Sequence, residues 1–319
     1  MEALLIGMRF VQFAAVMILF GSSSFPYYAL RTNETEHRLR DDVAAFVQNV
    51  AFYATLAALL SAIVWLGCEA VLMSGDANGY REGDTIQTVL RDTQFGRIWV
   101  WRLVLLAVLT LFFGWRVLGG RAPLVWPVLI SGFVLVASLA GVGHGAVRTG
   151  YDAFIHQSNQ AVHMLAAAIW VGGLPSLFCA VRAARRRKLG ADILTRILRR
   201  FSAIGFAAVL FILASGLANS WFLVSSLHAL FHMAFGQVLM VKVSLFLAMI
   251  ASALLNRFYL MPRLAGSAQA DRLTGQLLRS IAIEQIFAVL VVASVSLLGT
   301  LPPAGDMPGP ATTMPGMAM

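Results

Sequence analysis

Eight long apolar stretches occupy most of this chain of 319 residues. They fall at about residues 4–30, 43–73, 98–115, 123–142, 157–181, 201–224, 235–256 and 280–301. Each is long enough for a helix to cross a hydrocarbon layer of about 30 Å. Only 12% of the residues are charged, against about 25% in an average soluble domain, so water is a poor solvent for this chain. The sequence predicts an all-α polytopic membrane protein of eight transmembrane helices, with no sizeable domain outside the bilayer.

Basic residues are distributed unevenly over the loops between these stretches. Of the 24 Lys and Arg residues, 17 fall in the loops after the first, third, fifth and seventh stretches, and only four in the other loops. Loops rich in Lys and Arg stay in the cytoplasm, so we expect both termini in the periplasm. The net charge of +9 sits in these short loops and not on one face of a folded domain, which argues against nucleic-acid binding.

The two ends of the chain carry different signals. The first stretch begins Met1-Glu2-Ala3, with no basic segment before it and no A-x-A site, so we expect a retained helix and not a cleaved signal peptide. Residues 1–303 are predicted to form the membrane domain, and residues 304–319 a disordered periplasmic tail. That tail contains four methionines, which have no core to fill there. We interpret them as a Cu(I)-scavenging arm, with chance composition as the alternative.

Histidines are concentrated at one face of the predicted membrane domain. Five of the six are placed at the outer face, whereas His37 lies in a charged cytoplasmic loop. His156 and His163 share one helical face with Gln160, and a second pair of histidines is spaced i, i+4. The outer histidines are His144, His156, His163, His228 and His232. A single boundary histidine is commonly an interfacial hydrogen-bonding residue, but five together favour ligation of a metal or of haem.

Acidic and sulfur side chains add to this predicted site. Trp65, Glu69 and Met73 form an i, i+4, i+8 stripe at the outer end of the second helix, beside Cys68. Imidazole suits copper and zinc, and thioether and thiolate favour Cu(I). We therefore predict a metal site in which His163 is the deepest ligand. Its candidate ligands are His163, His156, His144, His228, His232, Glu69 and Met73. Cys68 and Cys179 lie far apart and predict no disulfide.

Ordered motifs between about residues 90 and 303 resemble a known family. They comprise Thr93-x-x-Gly96-x-x-Trp99-x-x-Arg102, the run from His163 to Leu174, Arg200-Phe-Ser202, Ser215-Gly216, Gly236-x5-Lys242, Asn256-Arg257, and Arg279 with Glu284. The chain resembles the copper resistance protein D (CopD) family of bacterial inner-membrane proteins; residues before 90 fit by hydropathy. The resemblance implies copper uptake or copper tolerance, with His163 as the first ligand candidate. It also implies a separate periplasmic carrier of the CopC type, because the chain leaves no room for a fused one.

Together these observations predict an inner-membrane protein of copper homeostasis that receives copper at the periplasmic face and passes it inward. The copper is Cu(I) or Cu(II). We find no nucleophile–base arrangement and no G-x4-G-K-[ST] motif, so we expect no enzyme and no ATP-driven pump. Two alternatives stay open. One is a membrane electron carrier that binds haem b between histidines, and the other is a copper-sensing accessory subunit without transport.

Overall fold

The computed structural model describes residues 1–31, 37–119, 125–142, 151–223, 227–264 and 269–302, without the side chains of residues 117, 221–223 and 227–229. The described residues form helices and no strand, as predicted. The helices are α1 (Glu2–Ala29), α2 (His37–Ser74), α3 (Gly83–Asp92), α4 (Gln94–Val117), α5 (Val125–Ala137), α6 (Tyr151–Arg186), α7 (Ala191–Leu223), α8 (Leu227–His232), α9 (Ala234–Leu255), α10 (Met261–Leu264) and α11 (Ala270–Leu298). Short 3₁₀ turns cover Gly79–Arg81 and Ser138–Gly141, and a π-helical turn covers Asn256–Leu260.

Seven helical segments are long and apolar enough to cross a bilayer. They are α1, α2, α4, α6, α7, α11 and the continuous segment Ala234–Leu264, which joins α9 to α10. The fourth predicted stretch is shorter than expected, since α5 has 13 residues and continues only as a four-residue 3₁₀ turn. Thus seven of the eight predicted helices have the length of a transmembrane helix within the described parts of the chain, and the eighth does not.

A buried arginine explains why α5 ends early. Arg102 on α4 is fully buried, and its guanidinium donates a hydrogen bond to the Leu135 carbonyl at 2.6 Å. Ser138 donates to the same carbonyl at 2.9 Å. In a continuing α-helix this carbonyl would accept the amide of residue 139. Competition for one acceptor therefore favours the tighter 3₁₀ turn after Ala137.

The first motif that carries the family resemblance is structural. Thr93 caps the start of α4 by accepting a hydrogen bond from the Gly96 amide at 2.9 Å. Gly96 lies against the end of α3, where a Cβ atom would overlap the α3 backbone. Trp99 donates to a carbonyl of α2 at 2.9 Å, and Arg102 binds α5 as described. These four residues join α2, α3, α4 and α5.

The helix α1 packs backbone to backbone against α6. A Cβ atom on Gly21 or on Gly172 would overlap the main chain of the opposite helix. Ser22 donates a hydrogen bond to the Gly172 carbonyl at 2.8 Å across this contact. Small residues allow such close approach between membrane helices. Many large apolar side chains on the outer helix faces are exposed, as expected where lipid is the solvent.

Opposite ends of the bundle differ in chemistry. We call the end that contains His156 the histidine end, and the end that contains residues 182–187 the arginine end. At the arginine end, Arg185 forms a two-pronged ion pair with Asp271, both contacts at 2.8 Å. Arg187 binds Asp42 in the same way at 2.6 and 2.8 Å, and this contact raises the pKa of Arg187. These pairs tie α6 to α11 and to α2. Both cysteines are free.

Candidate functional site

A polar cavity of about 160 Å³ opens inside the histidine end, between α1, α6, α7, α9 and α11. Its polar lining residues are Arg9, His156, Gln160, His163, Asn219, Ser220 and Lys242. His156 is buried, and it lies about 10 Å along α6 from His163, because seven residues separate them. The i, i+7 spacing on one helical face thus brings both histidines to one cavity.

The tautomer of His163 follows from its contact with α7. Its Nδ1 atom lies 2.9 Å from the Ser215 hydroxyl oxygen. Ser215 donates its own hydrogen to the Phe211 carbonyl, so its oxygen can only accept from the ring. Nδ1 therefore carries the proton and Nε2 keeps a lone pair. Fixing the tautomer through the second ring nitrogen is the usual arrangement of a histidine that binds metal.

A chain of amide hydrogen bonds orders the wall between α6 and α7. Asn159 donates to Asn219 at 2.8 Å and to the Ser215 carbonyl at 2.9 Å. Asn219 donates in turn to the Gln160 oxygen at 2.7 Å. The chain ends at the Gln160 amide nitrogen, which lies on the cavity wall with its two hydrogens. The wall is therefore rigid and rich in donors.

A second cavity of about 210 Å³ continues toward the middle of the bundle and shares His163 and Lys242 with the first. It is mainly apolar. Three methionines from three helices line it, namely Met17 on α1, Met164 on α6 and Met249 on α9. All three are buried. Methionine thioethers bind Cu(I), so this lining adds soft sulfur atoms beyond His163.

A third cavity of about 280 Å³ shares Trp170 with the second and extends to Glu284. Glu284 on α11 is buried and accepts hydrogen bonds from Asn256 at 2.5 Å and from Ser252 at 3.4 Å. Asn256 begins the π-helical turn that follows α9, a distortion that is frequent at functional sites. Polar groups thus occur at both ends of a series of three cavities.

The structure brings together only part of the predicted ligand set. His156 and His163 share the cavity, whereas Glu69 is half-buried and accepts a hydrogen bond from Trp65 at 2.9 Å. Met73 is 55% exposed, and His232 is also exposed. His144 and the methionines of the tail lie outside the described residues, as does the side chain of His228. In the described part of the chain, no three His, Cys, Asp or Glu residues form a group suited to a metal ion.

Several residues of these cavities were not predicted from the sequence to have a role in the site. Arg9 and Lys242 carried a signal, because charged residues within apolar spans commonly mark functional sites. Ser215 stood out only within the motif Ser215-Gly216, and its role at His163 depends on a contact between residues 52 positions apart. Met17 and Met249 looked like ordinary core residues, and only the packing of α1 and α9 brings them to one cavity.

The fold and these cavities define the class of protein, which is a multi-pass helical membrane protein with a polar cavity at one end. Residues 1–154 match the family "Copper resistance protein D-like, N-terminal domain", and residues 195–298 match the family "Copper resistance protein D". The chain belongs to the copper resistance protein D family. No solved structure matches it.

Similar proteins support this assignment along the whole chain. An inner membrane protein of Escherichia coli, YebZ, is 33% identical over 93% of this chain and 98% of its own length. Copper resistance protein D of Pseudomonas syringae is 31% identical over 95% of this chain and 97% of its own length. The copper transport protein CutJ of Bacillus subtilis is 30% identical over 68% of this chain and 38% of its own length. The protein is therefore a copper-related, multi-pass inner-membrane protein.

Proposed function

We propose that the protein takes up copper at the periplasmic face, binds it at His163 and passes it toward the cytoplasm. The observation that carries this proposal is the position of His163. Its Nε2 atom is left as the ligand by the bond to Ser215, and the side chain lines both the polar cavity and the methionine-lined cavity. No catalytic step is part of the proposal.

The direction follows from the orientation that we propose for the bundle. The loops after the first, third, fifth and seventh apolar stretches contain 17 basic residues, which favours a cytoplasmic arginine end. Both termini and the histidine end then lie in the periplasm. The segment Val125–Gly141 completes an eighth crossing in this proposal. Its 13 α-helical and four 3₁₀ residues span about 27 Å, close to the hydrocarbon thickness.

The ligands along the route favour Cu(I) as the ion that moves inward. In this proposal, copper moves from the imidazole of His163 to the thioethers of three methionines. Thioethers favour Cu(I) over Cu(II), and the three are Met17, Met164 and Met249. His156 stands about 10 Å outside His163 on the same helix and is the proposed entry ligand. A separate periplasmic carrier of the CopC type would deliver copper to this end of the bundle.

The geometry gives less support to haem ligation. Haem held by two histidines needs one imidazole on each face of the ring. His156 and His163 project from the same face of one helix, and no described histidine side chain lies opposite either of them in the lining of the cavity. The proposed transport function uses both histidines without this requirement.

Uptake of copper into proteoliposomes tests the proposal. Replacing His163 with Ala or Gln should abolish Cu(I) accumulation, because neither side chain supplies an imidazole nitrogen. His37→Ala is the matched control, since His37 is exposed at the arginine end and pairs with Asp41 at 3.1 Å. Near-normal uptake by the His163→Gln protein would make His163 a structural hydrogen-bonding residue and place the route elsewhere.

A further inference from the structure

The polar cavity has an excess of positive charge. Two cationic side chains line it, Arg9 from α1 and Lys242 from α9, and no Asp or Glu appears among its described lining residues. Lys242 lies within electrostatic range of His163. Glu69 acts on Arg9 through space, but the two form no ion pair among the described residues, and Glu69 accepts from Trp65 instead. A cavity that served copper alone would not be expected to carry two cations.

Arg9 is held in place by surfaces that do not satisfy its hydrogen-bond donors. It is 8% exposed, and its guanidinium carbon lies 5.0 Å from the ring centroid of Trp65 and 6.0 Å from that of Phe13. These aromatic faces stabilise the cation without accepting its N–H groups in the guanidinium plane. No described residue accepts a hydrogen bond from Arg9, and the Nε atom is buried. Buried donors of this kind normally have an acceptor.

A glycine at the end of α11 makes room for this arginine. A Cβ atom on Gly299 would overlap the Arg9 guanidinium nitrogens. The guanidinium therefore fills the space that any other residue at this position would take. This close fit places the charge of Arg9 at the cavity wall.

Other donors in the cavity also lack acceptors within the described chain. The Gln160 oxygen already accepts from Asn219, so Gln160 presents its amide hydrogens. No described residue accepts a hydrogen bond from Lys242. The cavity thus gathers a guanidinium, an ammonium and an amide as donors, and its described lining residues include no carboxylate to receive them. An anion is the kind of ligand that would accept hydrogen bonds from all three groups.

We propose that the polar cavity binds a small monovalent anion of the chloride class, held by Arg9, Lys242 and Gln160. A volume of about 160 Å³ admits an ion of this size with few waters. Such an anion also offsets the two cations when copper occupies His163. The anion site goes beyond the proposed transport function and is tested without copper.

Equilibrium binding of radioactive chloride to the purified, copper-free protein in detergent is the test. We expect saturable binding that bromide competes and gluconate does not. Lys242→Met and Arg9→Gln should each weaken it by about tenfold or more, since each removes a charged donor. Arg97→Gln should bind as the parent does, because Arg97 is an exposed arginine at the same end of the bundle.

Gly299→Ala tests whether chloride binding depends on the position of Arg9 and not only on the net charge of the protein. It leaves both cations in the chain but displaces the Arg9 guanidinium, so it should also weaken chloride binding. If Arg9→Gln does not fold, Lys242→Met and Gly299→Ala decide the question. Absence of saturable chloride binding in the parent, or unchanged binding in folded Lys242→Met and Gly299→Ala proteins, would overturn the proposal. A parent protein that binds chloride but takes up no copper would instead count against the transport function alone.

Discussion

Ser215 determines which ring nitrogen of His163 is free to bind copper, although Ser215 is not itself a proposed copper ligand. Its hydroxyl accepts the Nδ1 proton of His163 and is itself committed to the Phe211 carbonyl. Ser215→Ala removes the group that fixes the ring. We expect Cu(I) affinity to fall by about 10- to 100-fold, as for other residues that orient a metal-binding histidine. Competition with a chromogenic Cu(I) chelator measures this affinity.

Ser294→Ala is the matched control for that substitution. Ser294 donates to the carbonyl four residues earlier in its own helix, just as Ser215 does, but it is half-buried on α11 and lines none of the three cavities. Its replacement should leave Cu(I) affinity unchanged. Equal affinities of the Ser215→Ala and parent proteins would show that His163 does not depend on this contact.

The sequence revealed the histidines of the cavity but not their surroundings. His156 and His163 could be predicted to share a face because helical spacing is local, and the structure places both in one cavity. Ser215 and Met249 could not be predicted, since they reach His163 only through the packing of α7 and α9 against α6. Arg9 was visible as a charge within an apolar span, but its position against Gly299 was not.

The contact between α1 and α6 holds in place the helix α6, which supplies part of the lining of all three cavities. Gly172→Ala should lower stability by about 1–3 kcal/mol, because its Cβ atom overlaps the α1 backbone, which cannot move as a side chain can. Thermal unfolding in detergent measures the change.

Gly7→Ala, in the same pair of helices, should change stability in the opposite direction. Gly7 lies in α1 with nothing within 4 Å of the position of its Cβ atom. Alanine there should stabilise the helix by about 0.5–1 kcal/mol, since glycine loses more conformational entropy. A destabilisation by Gly172→Ala no larger than the effect of Gly7→Ala would contradict the close contact.

At the level of elements, hydropathy predicted the long helices better than the short one. Long apolar runs form helices wherever lipid is the solvent, so the seven long segments follow from the hydropathy along the chain. The end of α5 depends on Arg102, which is 33 residues earlier than the carbonyl that it binds. No local pattern in residues 123–142 contains this information.

The orientation of the whole molecule is testable with fused reporters. A reporter inserted at Gly190, in the loop between α6 and α7, should behave as cytoplasmic, because this loop belongs to the basic side. A reporter after Met319 should behave as periplasmic. An active periplasmic reporter at Gly190 would reverse the bundle and place the polar cavity at the cytoplasmic face.

The methionine-rich tail lies outside the described residues and stays a prediction. Deleting residues 306–319 should weaken copper capture at low external copper, because a flexible arm raises the local copper concentration near the histidine end. Folding should be unaffected. Copper uptake that is unchanged across the low-copper range would mean that these methionines have no role in capture.

In the proposed function, copper binds the imidazole of His163 inside the bundle. X-ray absorption at the copper edge tests it most directly, on protein loaded with one equivalent of Cu(I). The parent and His37→Ala proteins should both show the outer-shell scattering of a coordinated imidazole ring, together with sulfur from the methionine-lined cavity. In a His156→Ala background, which removes the proposed entry ligand, the added His163→Gln substitution should abolish the imidazole scattering. The same imidazole scattering with and without His163→Gln in that background would contradict copper binding at His163.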